Sequence, residues 1–227
     1  MEIQQTTTIS LRPNILTYGP AKSGKTHLLG TIKKRRLLIA DTDGGLSTLR
    51  KTPQEFAPIR SWADWLEFVK MVESDAFRQA YQVIALDDIH RLGEYFLEKQ
   101  RPSEKDGRKL YGALAEAMFV EIHRMRSWAE KLGYYVVTNS KEDRQVLDSG
   151  VLLTQPMFPG NAIQTMLDYL YDEVYHTEMA PDANRVQLYV LRTKKAVSTM
   201  AGSRFGHLRE IEVADYDYIF DQMEAIG

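Results

Sequence analysis

The feature that most constrains the fold is the segment GPAKSGKT, at residues 19–26. It follows a short apolar run at residues 14–18, which predicts a β-strand, and it leads into a predicted helix at residues 25–32. A strand, a glycine-containing turn and a helix in this order are typical of an α/β unit. The alternative is an ordinary glycine turn before a helix.

The residue types in this segment predict a phosphate-binding site, because they fit G-x-x-x-x-G-K-[ST], the P-loop pattern. Gly19 and Gly24 are expected to adopt backbone dihedrals that a side chain would block, so that amide N–H groups turn inward around an anion. Lys25 supplies charge for the β- and γ-phosphates, and Thr26 offers a hydroxyl to Mg²⁺. The predicted nucleotide-binding residues are Gly19, Pro20, Ala21, Lys22, Ser23, Gly24, Lys25, Thr26 and His27.

Carboxylates follow two other apolar runs, and a P-loop needs one of them to hold Mg²⁺. Asp87 ends the predicted strand at residues 82–87 and is the expected metal carboxylate beside Thr26. Asp88 could orient water, or the two aspartates could simply cap a helix. Asp43, beyond the predicted strand at residues 36–41, is preferred on placement as the water-activating residue, with Asp88 as the alternative. Asp43 also suits a turn before two glycines.

Asn139 follows a fourth predicted strand, at residues 134–138, at the edge where ligands bind in such sheets. It could sense the γ-phosphate or the attacking water, or it could only begin a loop. The predicted catalytic set is therefore Lys25, Asp43, Asp88 and Asn139.

Continuous apolar strands with helices between them predict an α/β fold with a mostly parallel central sheet covered on both faces. Ser61 is expected to cap a helix, and a long helix at residues 110–132 should end at Gly133. After residue 156 two strand-like segments predict a C-terminal β-hairpin extension. We expect one domain over residues 1–227, with a core at about 10–155 and the β extension and basic loop at about 156–227.

The bulk composition excludes several classes of protein. The chain lacks cysteine, which excludes disulfides, thiolate zinc sites and a cysteine nucleophile. No apolar run approaches the roughly 20 residues that cross a bilayer, and the first ten residues do not resemble a signal peptide. We expect a cytoplasmic protein without a membrane partner. The net charge of −2 and pI of about 6.2 mean that contact with nucleic acid would need a local basic patch.

Two basic clusters qualify as such patches. Residues 33–36, KKRR, could complement the dipole at the end of the P-loop helix, with DNA binding as the alternative. A second cluster lies in a glycine-bearing loop beyond a predicted strand. It could contact single-stranded DNA, sense ATP across a subunit boundary, or be a solvated loop. Its members are Arg192, Lys194, Lys195 and Arg204.

The order of the P-loop, IADTDGG, VIALDD and VVTNSK resembles that of RecA-like P-loop ATPases, in particular small RecA/RadA-like nucleotide-binding proteins of bacteriophages. Some of these act as single-strand annealing recombination proteins. The later segments PMFPGNAIQTMLDYLYDEVYHTE and LYVLRTKKAVSTMAGSRFGHL are also similar, so the resemblance covers about residues 15–208. It implies a three-layer RecA-like fold that binds ATP and Mg²⁺.

The resemblance also implies roles for single residues. Lys25 and Thr26 would bind ATP·Mg²⁺ and Asp87 the metal. Asp43 stands where these ATPases carry a catalytic glutamate, and its side chain is one methylene shorter, which argues against fast hydrolysis. Asn139 stands where many relatives show Gln or His. A basic residue from the next subunit commonly completes such sites, and the segment with Lys194, Lys195 and Arg204 could supply it.

The sequence thus predicts a DNA-stimulated ATPase that acts on single-stranded DNA in recombination, annealing or replication. By resemblance we expect a homo-oligomer, a single-strand-binding protein as a further partner, and the cytoplasm of a bacterial host if the gene is phage-encoded. One alternative is a nucleoside or nucleotide kinase, with residues 101–109 as a lid carrying arginines. Another is a nucleotide-dependent interaction protein with little turnover.

Overall fold

In the computed structural model, which describes residues 12–160, 163, 166–181 and 184–226, the strands form one mixed sheet. The strands of the described residues are β1 (Asn14–Gly19), β2 (Leu37–Asp41), β3 (Glu55–Pro58), β4 (Val83–Asp87), β5 (Tyr135–Val146), β6 (Leu152–Pro156), β7 (Glu173–Pro181), β8 (Gln187–Arg192), β9 (Gly202–Ser203) and β10 (Ile211–Val213).

The helices are α1 (Lys25–Leu29), α2 (Trp62–Val72), α3 (Asp75–Ala80), α4 (Ile89–Gln100), α5 (Gly107–Ser127), α6 (Leu167–Leu170) and α7 (Tyr216–Glu224), with a 3₁₀ turn at Leu46–Leu49 and a π-helical turn at Trp128–Leu132. Among these residues, no helix combines the length and the apolar character that a bilayer crossing requires.

The sheet has a parallel centre and an antiparallel margin, as the sequence predicted. Its strand order is β10-β8-β7-β1-β5-β4-β2-β3, with β6 paired to β5 and β9 to β7. The pairs β7–β1, β1–β5, β5–β4, β4–β2 and β2–β3 are parallel. The β7–β8 pair is the predicted C-terminal hairpin, and its turn residues 182–183 lie outside the described residues, as do residues 10–11 of the predicted core.

Helices cover both faces of the sheet because the central strands are apolar on both sides. Leu16 and Tyr18 pack with α2, α4 and α5, whereas Ile15 packs with α1 and α7. Along β5 the faces alternate in the same way, and Val137 lies on the α1 side. This alternation decides which side chains beyond residue 138 face the P-loop helix.

Several predicted boundaries are confirmed at the level of single contacts. The Ser61 hydroxyl accepts a hydrogen bond from the Asp64 amide at 3.1 Å, so it caps α2 as predicted. Gly133 has a φ of 75° and ends the long helix. That helix begins at Gly107 rather than at residue 110, because the Asp106 side chain caps it by accepting from the Arg108 amide. Its last turn, from Trp128, is π-helical.

Two predicted boundaries are wrong. Helix α1 ends at Leu29 rather than at residue 32, in a tight turn where Gly30 lies against the Thr52 and Leu49 side chains. The fourth strand does not end at residue 138, because β6 pairs antiparallel with its polar second half and extends it to Val146. Asn139 therefore lies inside β5 and does not begin a loop.

The cluster at residues 33–36 is not placed to complement the α1 dipole, since α1 ends earlier. Instead it binds acidic side chains of α7. The Lys34 ammonium pairs with Asp221, and Arg35 pairs with Asp217 at 3.2 Å and with Asp221 at 3.0 Å. Arg36 pairs with Glu55 at 3.0 Å. The contacts of Lys34 and Arg35 dock the C-terminal helix, whereas that of Arg36 ties the cluster to β3.

Candidate functional site

Two adjoining cavities lie at the carboxyl ends of the central strands, where the P-loop begins. The first, of about 530 Å³, is lined by part of the loop and by residues that follow β2, β4 and the middle of β5. It brings together the predicted residues Lys25, Thr26, Asp43, Asp87, Asp88 and Asn139.

The second cavity, of about 600 Å³, extends along the start of α1. It is lined by Ser23, Gly24, His27, Thr48 and Tyr189, together with Lys22, Lys25, Thr26, Asp43 and Gly45, which it shares with the first cavity.

The two P-loop glycines are required for different reasons. Gly24 has a φ of 89°, as the sequence predicted, and stands just before α1. The predicted reason for Gly19 is wrong, because its φ is not positive. A Cβ at Gly19 would instead lie 2.0 Å from the Thr177 hydroxyl of β7. That hydroxyl is 2.6 Å from the Ser23 hydroxyl, so the loop is held against the neighbouring strand.

Lys25 directs its ammonium group across the loop. Its Nζ donates hydrogen bonds to the carbonyl oxygens of Gly19 and Pro20, each at 2.8 Å. Burial lowers the pKa of Lys25, and the carboxylates of Asp88 and Asp87 oppose that effect. The loop therefore holds a half-buried cation whose charge is partly balanced by the carboxylates across the cavity.

Thr26, Asp87 and Asn139 form a hydrogen-bonded cluster opposite the loop. The Thr26 hydroxyl donates to Asp87 Oδ2 at 3.2 Å, and Asn139 Nδ2 donates to Asp87 Oδ1 at 2.8 Å. Asp87 is only 4% exposed, and burial raises its pKa although both hydrogen bonds favour the carboxylate. The Oδ1 atom of Asn139 is buried and has no hydrogen-bond partner among the described residues. A buried acceptor of this kind requires a hydrogen-bond donor, which a bound ligand or water would supply.

The cluster of Thr26, Asp87 and Asn139 has side-chain oxygens suited to Mg²⁺ that is bound together with a nucleotide. Mg²⁺ prefers oxygen ligands and is commonly held by one or two carboxylates plus substrate phosphates and water. Thr26 and Asp87 present such oxygens within hydrogen-bond distance of each other. No group of three or more His, Cys, Asp or Glu side chains suited to a metal occurs in the described part of the chain. The remaining ligands would therefore come from phosphate and water.

Asp88 has contacts that match the alternative interpretation, an acidic helix cap. Its Oδ1 accepts from the His90 amide at 3.0 Å at the start of α4, and its backbone has a φ of 82°. Its Oδ2 lies 2.9 Å from the Lys141 ammonium. One carboxylate oxygen of Asp88 is thus hydrogen-bonded, and the other, which is buried and accepts no hydrogen bond, is held in the ion pair with Lys141.

Asp43 is exposed at the mouth of both cavities. Among the residues described it makes no hydrogen bond or ion pair. Its turn is held by Asp41, which accepts from the Gly44 amide at 2.8 Å and pairs with Arg60 at 2.8 Å. The Thr42 hydroxyl also donates to the Asp88 carbonyl at 2.9 Å. The carboxylate of Asp43 is therefore free for a ligand or water on a turn fixed to β4.

The four basic residues predicted to act on DNA or in trans do not line either cavity. Arg192 pairs with Glu178 at 2.6 Å and with Glu210 at 2.6 Å. Arg204 pairs with Asp172 at 3.1 Å. Of these four residues, Lys194 and Lys195 are exposed and form no ion pair with the described residues.

Sequence reasoning missed several residues of the site. Lys141 and Glu142 line the first cavity, and Tyr189 of β8 lies beside Gly24 and His27 in the second. Lys141 lies in the polar segment that the sequence places beyond the fourth strand, so its position on the same strand face as Asn139 was not evident. Glu142 and Tyr189 had no local signal either. Tyr189 belongs to the β7–β8 hairpin, which is distant in sequence, and so does His176, the residue that contacts Glu142.

A comparison with protein families agrees with this arrangement. A family model described as an AAA domain matches residues 12–205, a segment that contains every strand from β1 to β9. No curated protein matches the chain.

Proposed function

The chain belongs to the AAA domain family of P-loop ATPases, and on that premise we propose that it binds ATP·Mg²⁺ in the first cavity and hydrolyses ATP. The observation that carries the proposal is the cluster of Thr26, Asp87 and Asn139 facing the P-loop lysine. A hydroxyl, a carboxylate and an amide with a free oxygen meet there beside a cation, which is the set of groups that phosphoryl transfer to water requires.

Each side chain has a physical task in this proposal. Lys25 exchanges its two loop carbonyls for phosphate oxygens, and Thr26 and Asp87 hold the metal. Mg²⁺, when bound, neutralises charge on the phosphates. Asn139 orients Asp87 through its amide N–H and accepts from water through its unpaired Oδ1. Asp43 is the base that we favour over Asp88, because the carboxylate oxygens of Asp88 are already engaged.

We further propose a RecA-like action on single-stranded DNA, in recombination, annealing or replication, by a homo-oligomer, with a single-strand-binding protein as a further partner. The order of motifs supports this, and so do two exposed lysines. Binding of single strands requires cations that follow the phosphate backbone. Lys194 and Lys195 are available for that contact, whereas Arg192 and Arg204 are neutralised by carboxylates.

The kinase alternative finds no support in the described site. Its imagined lid, residues 101–109, contributes no residue to the lining of either cavity. A nucleotide-dependent interaction protein would use the same cavity and differs only in turnover, so the rate of hydrolysis separates it from an ATPase.

The test measures ATP binding by calorimetry and phosphate release with and without single-stranded DNA. We expect Mg²⁺-dependent binding and turnover in the wild type, and a loss of affinity of at least about 100-fold in Lys25→Ala. Lys131→Ala, which removes an exposed lysine remote from the cavities, is the matched control. Failure of the wild type to bind ATP·Mg²⁺ would overturn the ATPase proposal.

The DNA role has its own readout. Single-stranded DNA should raise the turnover of the wild type, and the double variant Lys194→Ala/Lys195→Ala should lose that response while keeping its DNA-free rate. Turnover that is equal with and without DNA, in a wild type that hydrolyses ATP, would leave the ATPase standing and remove the DNA proposal.

A further inference from the structure

We propose that Lys141 is a second phosphate-binding cation of the site, supplied by the same subunit, and that it contacts the terminal phosphate of ATP during hydrolysis. This inference rests on the proposed ATPase function and deepens it. The sequence suggested instead that such a cation would come from the neighbouring subunit.

The position of Lys141 follows from the extension of β5. Its backbone pairs with Gly19, the first residue of the P-loop, just as Asn139 pairs with Thr17 two residues earlier. Alternate residues of a strand share a face, so Lys141 projects to the same side as Asn139 and Val137, which is the side of α1. Lys141 accordingly lines the first cavity, together with Lys25 and Asn139.

An ion pair with Asp88 holds the Lys141 ammonium in place and leaves some of its N–H donors available. The ammonium lies 2.9 Å from Asp88 Oδ2, and the Lys141 side chain is 48% exposed whereas that of Asp88 is 8% exposed. Although partial burial opposes the charge, the ion pair with Asp88 keeps the pKa of Lys141 above its usual value. An ammonium has three donors. One ion pair to Asp88 leaves donors for a phosphate.

The carboxylates that line the cavity explain why a second cation would favour nucleotide binding. Lys25 approaches from the P-loop, after β1, and Lys141 from the adjacent strand β5, so phosphates in the loop lie between two cations. Asp43, Asp87 and Asp88 are on the remaining sides. A triphosphate in such a cavity repels these carboxylates, and each cation that faces it reduces the repulsion. Lys141 is the described cation best placed to do so beyond the P-loop itself.

The role of Lys141 in the reaction is electrostatic. In hydrolysis a water oxygen bonds to the γ-phosphorus while the bond to the β–γ bridging oxygen breaks, which yields ADP and inorganic phosphate. The proton of the water passes to the base and then to solvent or phosphate. Lys141 donates hydrogen bonds to the equatorial oxygens of the transferred group, over which the charge is spread, and transfers no proton.

The alternative is that Lys141 only neutralises Asp88 and thereby supports the start of α4. The two roles predict different nucleotide affinities. A contact with the terminal phosphate strengthens ATP binding and leaves ADP binding unchanged. A supporting role affects both nucleotides equally, because a distorted site binds both less well.

The experiment compares wild type, Lys141→Met, Lys141→Arg and the control Lys131→Met. It measures the Kd for ATP and for ADP by calorimetry in the presence of Mg²⁺, the kcat at saturating ATP, and the thermal midpoint. We expect Lys141→Met to weaken ATP binding about tenfold, to leave the Kd for ADP within about twofold, and to lower kcat by about 10²–10³-fold. Lys141→Arg should recover most of the kcat, and Lys131→Met should match the wild type.

Mixing variants distinguishes a cation of the same subunit from one supplied by a neighbour. If Lys141 acts within its own subunit, a mixture of Lys25→Ala and Lys141→Met stays inactive. Recovered activity in the mixture would overturn the assignment to the same subunit. An unchanged ratio of ATP to ADP affinity in Lys141→Met would overturn the phosphate contact itself. Because that ratio needs only binding, it tests Lys141 even in a wild type whose turnover proves to be negligible.

Discussion

The close approach of the P-loop to β7 makes Gly19→Ala a sharp test of why this position is glycine. The added Cβ would lie 2.0 Å from the Thr177 hydroxyl oxygen and 3.0 Å from both the Thr177 carbonyl and the Ser23 hydroxyl. Comfortable non-bonded separations are roughly 3.5 Å. Because β1 and β7 are paired parallel strands, the backbone cannot separate by that amount without breaking ladder hydrogen bonds.

The cost of Gly19→Ala has two parts. Overpacking of a tight site costs about 1–3 kcal/mol, and displacement of the hydrogen bond between Ser23 and Thr177 costs about 0.5–1.5 kcal/mol. The free energy of unfolding should therefore fall by about 2–4 kcal/mol. For a chain of this size that corresponds to a decrease of roughly 5–15 °C in Tm.

Urea unfolding of a double-mutant cycle measures this prediction. Thr177→Ala removes the clashing hydroxyl, so Gly19→Ala/Thr177→Ala should be about 1–2 kcal/mol more stable than the sum of the single effects. Gly24→Ala is the matched control, because its strain comes from a φ of 89° and Thr177→Ala should not relieve it. A wild-type unfolding midpoint in Gly19→Ala, or strictly additive costs in the cycle, would refute the close-approach explanation.

Three further outcomes follow from buried charges. Burial raises the pKa of Glu173 to about 7 from 4.5. Between these two pH values the folded protein retains a proton that the unfolded chain releases. The free energy of unfolding should therefore fall as pH rises from about 4.5 to 7, by at most about 3 kcal/mol. Glu173→Gln should flatten this slope in urea titrations at pH 5 and pH 8. Burial also raises the pKa of Asp87, so Asp87→Asn should stabilise the Mg²⁺-free protein by about 0.5–2 kcal/mol while abolishing Mg²⁺-dependent hydrolysis. Arg35→Ala, which removes the ion-pair partner of the buried Asp217 and one of the partners of Asp221 and of Glu224, should cost about 3 kcal/mol in thermal unfolding with turnover per folded molecule unchanged.

Each of these outcomes has a result that would contradict it. An equal pH slope in Glu173→Gln and wild type would mean that another group binds the proton. A lower thermal midpoint in Asp87→Asn would show that the carboxylate stabilises the apo site through its hydrogen bonds more than burial destabilises it. Loss of DNA-stimulated turnover in folded Arg35→Ala would return the cluster at residues 33–36 to the DNA-binding candidates.

The parts of the site that sequence reasoning located depend on local patterns. The P-loop lies within eight residues, and Asp87 directly follows an apolar run that can only be a buried strand. Parallel strands present their carboxyl ends at one edge of the sheet, so these residues had to meet once the strands were identified. Asn139 was located in the same way, and its hydrogen bond to Asp87 is the contact that a neighbouring strand makes available.

The remaining features depend on partners far away along the chain. The reason for Gly19 lies in Thr177, and the neutralisation of Arg192 and Arg204 depends on Glu178 and Asp172. The second half of β5 is polar, so its composition favours a loop, and only pairing with β6 makes it a strand. Sequence patterns indicate how much apolar surface a segment can bury. These contacts involve polar segments that bury little apolar surface, so such patterns do not reveal them.

The continuity of β5 has a mechanical consequence. The same uninterrupted strand carries Asn139 and Lys141 beside the P-loop and then runs outward to Val146, which is 68% exposed at the tip of the β5–β6 hairpin. A hydrogen-bonded two-stranded ribbon resists bending far better than a loop. A tilt of the strand that a phosphate imposes at Lys141 is therefore transmitted to the exposed tip of the hairpin. A fluorophore attached at that tip would report the nucleotide state.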